Sequence, residues 1–231
     1  MSEITPAEWT AILLSLRVAI IATLVATPFG IALAWLLARY NFWGKSVLDA
    51  LVHLPLVLPP VVTGYLLLLT FGRRGLVGAW LADNLGIVFA FRWTGAALAC
   101  GVMSFPLLVR PIRLSIEAID RRLEQAASTL GAAPWRVFAT VTLPLALPGI
   151  LAGMVLGFAK AIGEFGATIT FVSNIPGETQ TISSAIYSLI QTPDGDTAAG
   201  RLVLISIVIA MSALIASEWF ARRATQRLHG N

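Results

Sequence analysis

Residues 11–38 run as apolar, small or hydroxyl-bearing side chains, with Arg17 the one charge among them. A bilayer core takes about 20 mostly apolar residues to cross as a helix. Backbone groups in lipid must be satisfied inside the protein, so a run of this length is expected to be a spanning helix. Four more stretches read the same way: 47–71, 93–114, 145–170 and 201–221. The expected fold class is an all-α polytopic membrane protein with about five transmembrane helices. Composition agrees, because charged residues make up 12% of the chain, against about 25% in a soluble domain. Mean hydropathy is +0.82. A soluble enzyme is therefore excluded, and 231 residues leave no room for a second globular domain. Trp9 and Trp35 bracket the first span like interfacial anchors. Residues 181–191 are too short to cross and are expected to form an interfacial or re-entrant helix. No internal repeat and no low-complexity linker is visible. The first nine residues are acidic, without the basic start and small-residue cleavage site of a secretory signal, so the first span is expected to be retained.

The formal charge of +4 would raise nucleic acid as a partner for a soluble chain. Here the basic residues flank apolar runs, where they orient the chain in the membrane instead. Five spans put the termini on opposite sides. With the N-terminus outside, the cytoplasmic side receives Arg39, Lys45, Arg110, Arg113, Arg121, Arg122, Arg136, Arg222, Arg223 and Arg227. The outside receives Arg73, Arg74, Arg92 and Arg201, while Arg17 and Lys160 lie within spans. The excess predicts N-out/C-in. Residues 1–10 would then be extracytoplasmic, 11–221 the transmembrane domain, 115–144 a cytoplasmic loop, and 222–231 a basic cytoplasmic tail.

That loop carries a helix out of place among spans. In residues 121–131, Leu123, Ala126, Ala127 and Leu130 fall at i, i+3, i+4 and i+7, which makes one apolar face. Gly131 stands where helices stop, and Pro134 follows. Arg121 opens the stretch, and Val141-Thr142-Leu143-Pro144 closes it. A short amphipathic helix outside the membrane is a docking element, or a segment lying on lipid headgroups. Gly44-Lys45-Ser46 is not a phosphate loop, since Arg39 stands where the first glycine belongs. His53 and His229 are the two histidines, and Cys100 the one cysteine. No metal site, internal disulfide or catalytic set is expected.

Charge and backbone irregularity inside the spans mark a candidate path. Gly149, Gly153 and Gly157 continue to Ala161 at intervals of four, a small-residue ridge suited to a dimer seam or a pore-lining helix. Lys160 and Glu164 share a face of the same span. A charge at the centre of a membrane helix costs about 2.5–3.5 kcal/mol. The two either line an anion path or pair against a neighbouring helix. Pro55, Pro59 and Pro60 are expected to distort the second span. Broken backbone at membrane depth survives where it is buried in protein or lines a cavity.

The loop resembles the "EAA" loop of binding-protein-dependent ABC importers: Glu-Ala-Ala, three residues, Gly, nine residues, then Ile-x-Leu-Pro. Gln125-Ala126-Ala127, Gly131, Val141, Leu143 and Pro144 hold those places. Gln125 replaces the usual Glu, with Glu124 just before it, and Val141 replaces Ile. Residues 49–65 resemble the second span of molybdate permeases. Residues 163–168 and 174–179 resemble the "GEFGA" and "NIPGET" segments of oxyanion permeases. The resemblance implies a type I ABC importer transmembrane domain. It further implies a homodimer of this subunit in the bacterial plasma membrane (the inner membrane in a Gram-negative cell). Two cytoplasmic ATPase subunits would dock on the coupling helix formed by the loop, and an extracytoplasmic binding protein would deliver molybdate. ATP and Mg would be bound by the partner ATPase, and no cofactor by this chain. Tungstate, sulfate or thiosulfate are alternative cargoes, since all are tetrahedral dianions. An ion-driven secondary transporter would usually show repeated halves, which this sequence lacks.

Overall fold

The computed structural model describes residues 4–229, with side chains described through residue 216. The first three residues and the tail side chains Arg222, Arg223 and Arg227 lie outside the described residues. Every described element is helical. Helix α1 (Pro6–Arg39) starts on a reciprocal capping box, in which Thr5 and Glu8 each bond the other's backbone N–H. Helices α2 (Lys45–Val57) and α3 (Pro60–Phe71) follow, then α4 (Leu76–Leu85) and α5 (Trp93–Glu117). Helix α6 (Arg121–Thr129) leads to a single turn, α7 (Pro134–Val137), a π turn over Phe138–Thr142, and α8 (Leu143–Ile162). The chain ends with α9 (Gly166–Val172), α10 (Ile182–Leu189) and α11 (Asp196–His229).

Helix α5 is the centre of the bundle, with α1 on one side and α8 on the other. One apolar cluster joins Val18, Ala19 and Ala22 of α1 to Ala96, Ala99 and Cys100 of α5 and Ala161 and Ile162 of α8. A second joins Ala34 and Ala38 to Leu108, Ile112 and Ile116, and to Ala146 and Ile150. The order of these contacts makes α1 and α5 parallel and α8 antiparallel to both. Arg39 and α6 therefore sit at one end of the bundle, and Glu8 at the far end. There the Arg201 guanidinium donates to Glu8 Oε1 at 2.7 Å, joining the starts of α1 and α11. Arg17 is exposed, with its guanidinium 3.8 Å from the centre of the Trp93 ring.

Four described helices are long and apolar enough to span, and a bent pair makes a fifth. The span expected over 47–71 is broken where its prolines were expected to distort it: the chain bends by 115° between α2 and α3. Leu58 and Pro59 each precede a proline, and both are extended. Pro55, by contrast, stays inside α2. The expected span 145–170 is corrected. Helix α8 stops at Ile162, and after Gly163–Phe165 the short α9 begins. Glu164 Oε1 accepts from the Ala167 N–H at 2.9 Å and so satisfies one of the free N–H groups at the start of the new helix. Helix α4 had no expectation. The final span starts at Asp196 rather than 201, while 93–114 and the short helix within 181–191 lie where their apolar content placed them.

Candidate functional site

The two groups of candidate residues lie at opposite ends of α8. At its first end, α6 projects from the bundle. Asp120 caps it by accepting the Arg122 N–H at 2.9 Å. Its other end is a Schellman stop: the Gly131 N–H reaches the Ser128 carbonyl, and the Ala132 N–H reaches that of Ala127. Gly131 has φ +85°, the left-handed conformation this motif demands. No residue of α6 is buried. Arg121, Leu123, Gln125 and Ala126 are exposed, Ala127 is half-buried, and Leu130 is 88% exposed. Trp135 beyond the stop is exposed too. The apolar face read from the sequence is thus left uncovered by the chain itself.

Glu124 faces the other way. Its Oε1 accepts from Arg39 Nε at 3.1 Å, from Arg39 Nη2 at 3.0 Å and from Thr142 Oγ1 at 2.7 Å. Arg39 Nη2 also reaches the Ile119 carbonyl at 3.4 Å. Arg39 entered the sequence reading only as an orienting charge, and Thr142 only as a letter of the motif. Their meeting with Glu124 was not visible, since nothing in the sequence pairs residues so far apart. A cleft of about 510 Å³ opens beside this contact, with Trp35, Arg39, Arg121, Gln125 and Thr142 in its walls. Leu143 and Pro144 follow the π turn and start α8. Pro144 offers no N–H and its ring would press on the carbonyl one helical turn back, so the chain widens there.

At the other end of α8, Lys160 Nζ donates to Glu164 Oε2 at 2.7 Å. Glu164 is 1% exposed, with its second oxygen on the Ala167 N–H. The break before α9 lies against the break before α3. A Cβ on Gly166 would come within 2.7 Å of Pro60 Cβ, and one on Gly64 within 2.5 Å of the Ala167 carbonyl. Pro59 and Pro60 are thereby brought beside the Lys160–Glu164 segment, which the sequence had suggested only separately. The glycine ridge points elsewhere. Gly149 meets Ser115 and the Pro111 carbonyl, Gly153 the Leu108 carbonyl, and Gly157 the Leu108 side chain. All are residues of α5, so the ridge is a helix–helix seam within this chain. Among the described residues no Cys, His, Asp and Glu cluster could hold a metal ion.

A helical bundle of four or five spans, with one short helix left uncovered outside it, is the architecture of a polytopic transporter subunit. Residues 26–227 match the binding-protein-dependent transport system inner membrane component family, and the chain belongs to that family. The molybdenum transport system permease protein ModB of Escherichia coli (strain K12) is 62% identical, over 97% of this chain and 98% of that protein. The protein of the same name from Haemophilus influenzae is 58% identical, over 96% of each. A chain in the crystal structure of a bacterial ABC transporter involved in the import of the acidic polysaccharide alginate shares the fold. Its TM-score is 0.74 at 20% identity, covering 95% of this chain and 80% of that one. The architecture is that of type I ABC importer permeases.

Proposed function

We infer that this chain is the permease subunit of an ATP-driven molybdate importer, working as a homodimer on two cytoplasmic ATPase subunits. The observation that carries the docking role is α6, a helix with no buried residue whose Leu123 and Leu130 point away from its own bundle. The cargo rests on the near full-length identity with the ModB relatives. The excess of basic residues at the α6 end favours placing that end in the cytoplasm. An extracytoplasmic binding protein then meets the end that carries Glu8, α10 and Arg201.

In this reading ATP and Mg stay on the partner, which draws its two halves together on ATP binding. The α6 helices follow, and the bundle passes between inward- and outward-facing arrangements as rigid bodies. Lys160 lies just before the α8–α9 break, which packs against the α2–α3 break. Paired with Glu164, it presents a partly neutralised charge, which suits passing a dianion without trapping it. Uptake of labelled molybdate by the reconstituted complex, competed separately by tungstate, sulfate and thiosulfate, tests the cargo. Competition by molybdate and tungstate with little effect of sulfate is expected. Equal competition by sulfate would overturn the assignment.

A further inference from the structure

We propose that Glu124 is a positioning residue that locks the docking helix to the membrane bundle, rather than a contact to the ATPase. The inference rests on the reading that α6 docks the ATPase. One oxygen of Glu124 takes bonds from the last residue of α1 and the last residue of the π turn. Arg39 reaches back to the Ile119 carbonyl just before α6 begins. Three chain segments thus close on one atom. The contact is largely withdrawn from water, with the Arg39 side chain 9% and the Glu124 side chain 19% exposed, and Thr142 buried. Charge-assisted bonds in that setting are short and directional, unlike exposed surface pairs.

The remainder of α6 cannot supply this orientation, since none of its residues is buried. Only Ala127, besides Glu124, is partly covered, so the helix's angle depends chiefly on the Glu124 contact. Thr142 carries the link onward, because it immediately precedes α8. Twenty helical residues rise about 30 Å, and at their other end stand Lys160 and the Glu164 break. A push on α6 therefore reaches α1 and α8 through a bonded joint rather than through slack loop. The geometry also separates two neighbours that the sequence left interchangeable: Glu124 is the joint, while Gln125 is exposed and lines the cleft beside it.

The test uses the full complex in proteoliposomes with molybdate-loaded binding protein, reading ATPase subunits retained, ATP hydrolysed and labelled molybdate taken up. The Glu124→Ala complex is expected to retain its ATPase subunits and hydrolyse ATP. It should move roughly tenfold less molybdate per ATP, within the range of about 5- to 150-fold typical of coupling between sites. Thr142→Val, which deletes one hydroxyl, should lose a smaller part of the same ratio. It should add little on top of Glu124→Ala. Exchange of the pair, Arg39→Glu with Glu124→Arg, should recover part of the ratio, which a generally loosened fold would not. A wild-type ratio in Glu124→Ala would overturn the proposal, as would loss of the ATPase subunits from that complex. Where Glu124→Ala fails to accumulate, a wild-type ratio in Thr142→Val overturns it alone. Absence of ATP-driven uptake in the wild-type complex would instead refute the functional reading beneath it.

Discussion

Adding one methyl at Gly64 probes whether the two broken helices are in backbone contact. The Cβ would stand 2.5 Å from the Ala167 carbonyl oxygen, 2.9 Å from its Cα and 3.0 Å from its C. Ordinary contact begins at 3.4 Å, so α3 and α9 must part by about 0.9 Å, and overpacking of this kind costs about 1–3 kcal/mol. Alanine is the better helix former by about 0.8–1.0 kcal/mol, which offsets part of that cost. Gly64→Ala should therefore lose up to about 2 kcal/mol. Gly101 in α5 is the matched control. Its Cβ would meet only Ala22 atoms at 3.8 Å and 4.0 Å, so Gly101→Ala keeps the propensity gain without the clash. The two variants should differ by the clash alone, about 1–3 kcal/mol, or about 2–12 °C in melting temperature for a chain of this size. The protein supplies its own reporter. Cys100 is the sole cysteine and is fully buried, so a thiol-reactive dye fluoresces only as the bundle opens. If Gly64→Ala melted at or above Gly101→Ala, the backbone contact between α3 and α9 would be refuted.

Three further outcomes are expected. Leu130→Lys should leave melting unchanged within about 0.5 kcal/mol, as for other exposed sites, while ATPase subunits no longer co-purify; normal recovery would remove Leu130 from the docking face. Gly131→Asp meets no neighbouring atom within 4 Å but must hold φ near +85°, at a cost of about 1–2 kcal/mol. The chain should insert in normal amounts while labelled uptake is lost, because a carboxylate then faces the negative end of α6. Lys160→Met strands the Glu164 carboxylate at a cost of about 1–3 kcal/mol, seen in the same thiol assay. Adding Glu164→Gln should restore melting but not uptake, and restored uptake would show the pair to be structural only.

The sequence located the spans because apolar length is a local property, as at 93–114. It could not locate their breaks, which depend on single contacts within runs that remain apolar. Gly163 and Glu164 interrupt no hydropathy trend, yet α8 stops before Gly163 and Glu164 holds a free N–H at the start of α9. Pro55 and Pro59 look equivalent as letters, but only the adjacent pair Pro59-Pro60 forces two consecutive residues into extended backbone. The ridge at Gly149, Gly153 and Gly157 was legible as a ridge, and its partner was not, because small residues show that something comes close without saying what. The helix at 121–131 was read best. Its glycine stop and apolar spacing are local, while the inward turn of Glu124 waits on Arg39, 85 positions away.

The π turn at Phe138–Thr142 has a consequence of angular phase. One residue in an α-helix corresponds to about 100° of rotation, so the extra residue held in this turn sets which way all of α8 faces. Deleting Ala139 would remove the extra residue and swing the Gly149–Gly153–Gly157 edge away from α5. Insertions and deletions at this one turn can therefore re-aim a whole membrane helix against a fixed docking element, while leaving every residue of either unchanged.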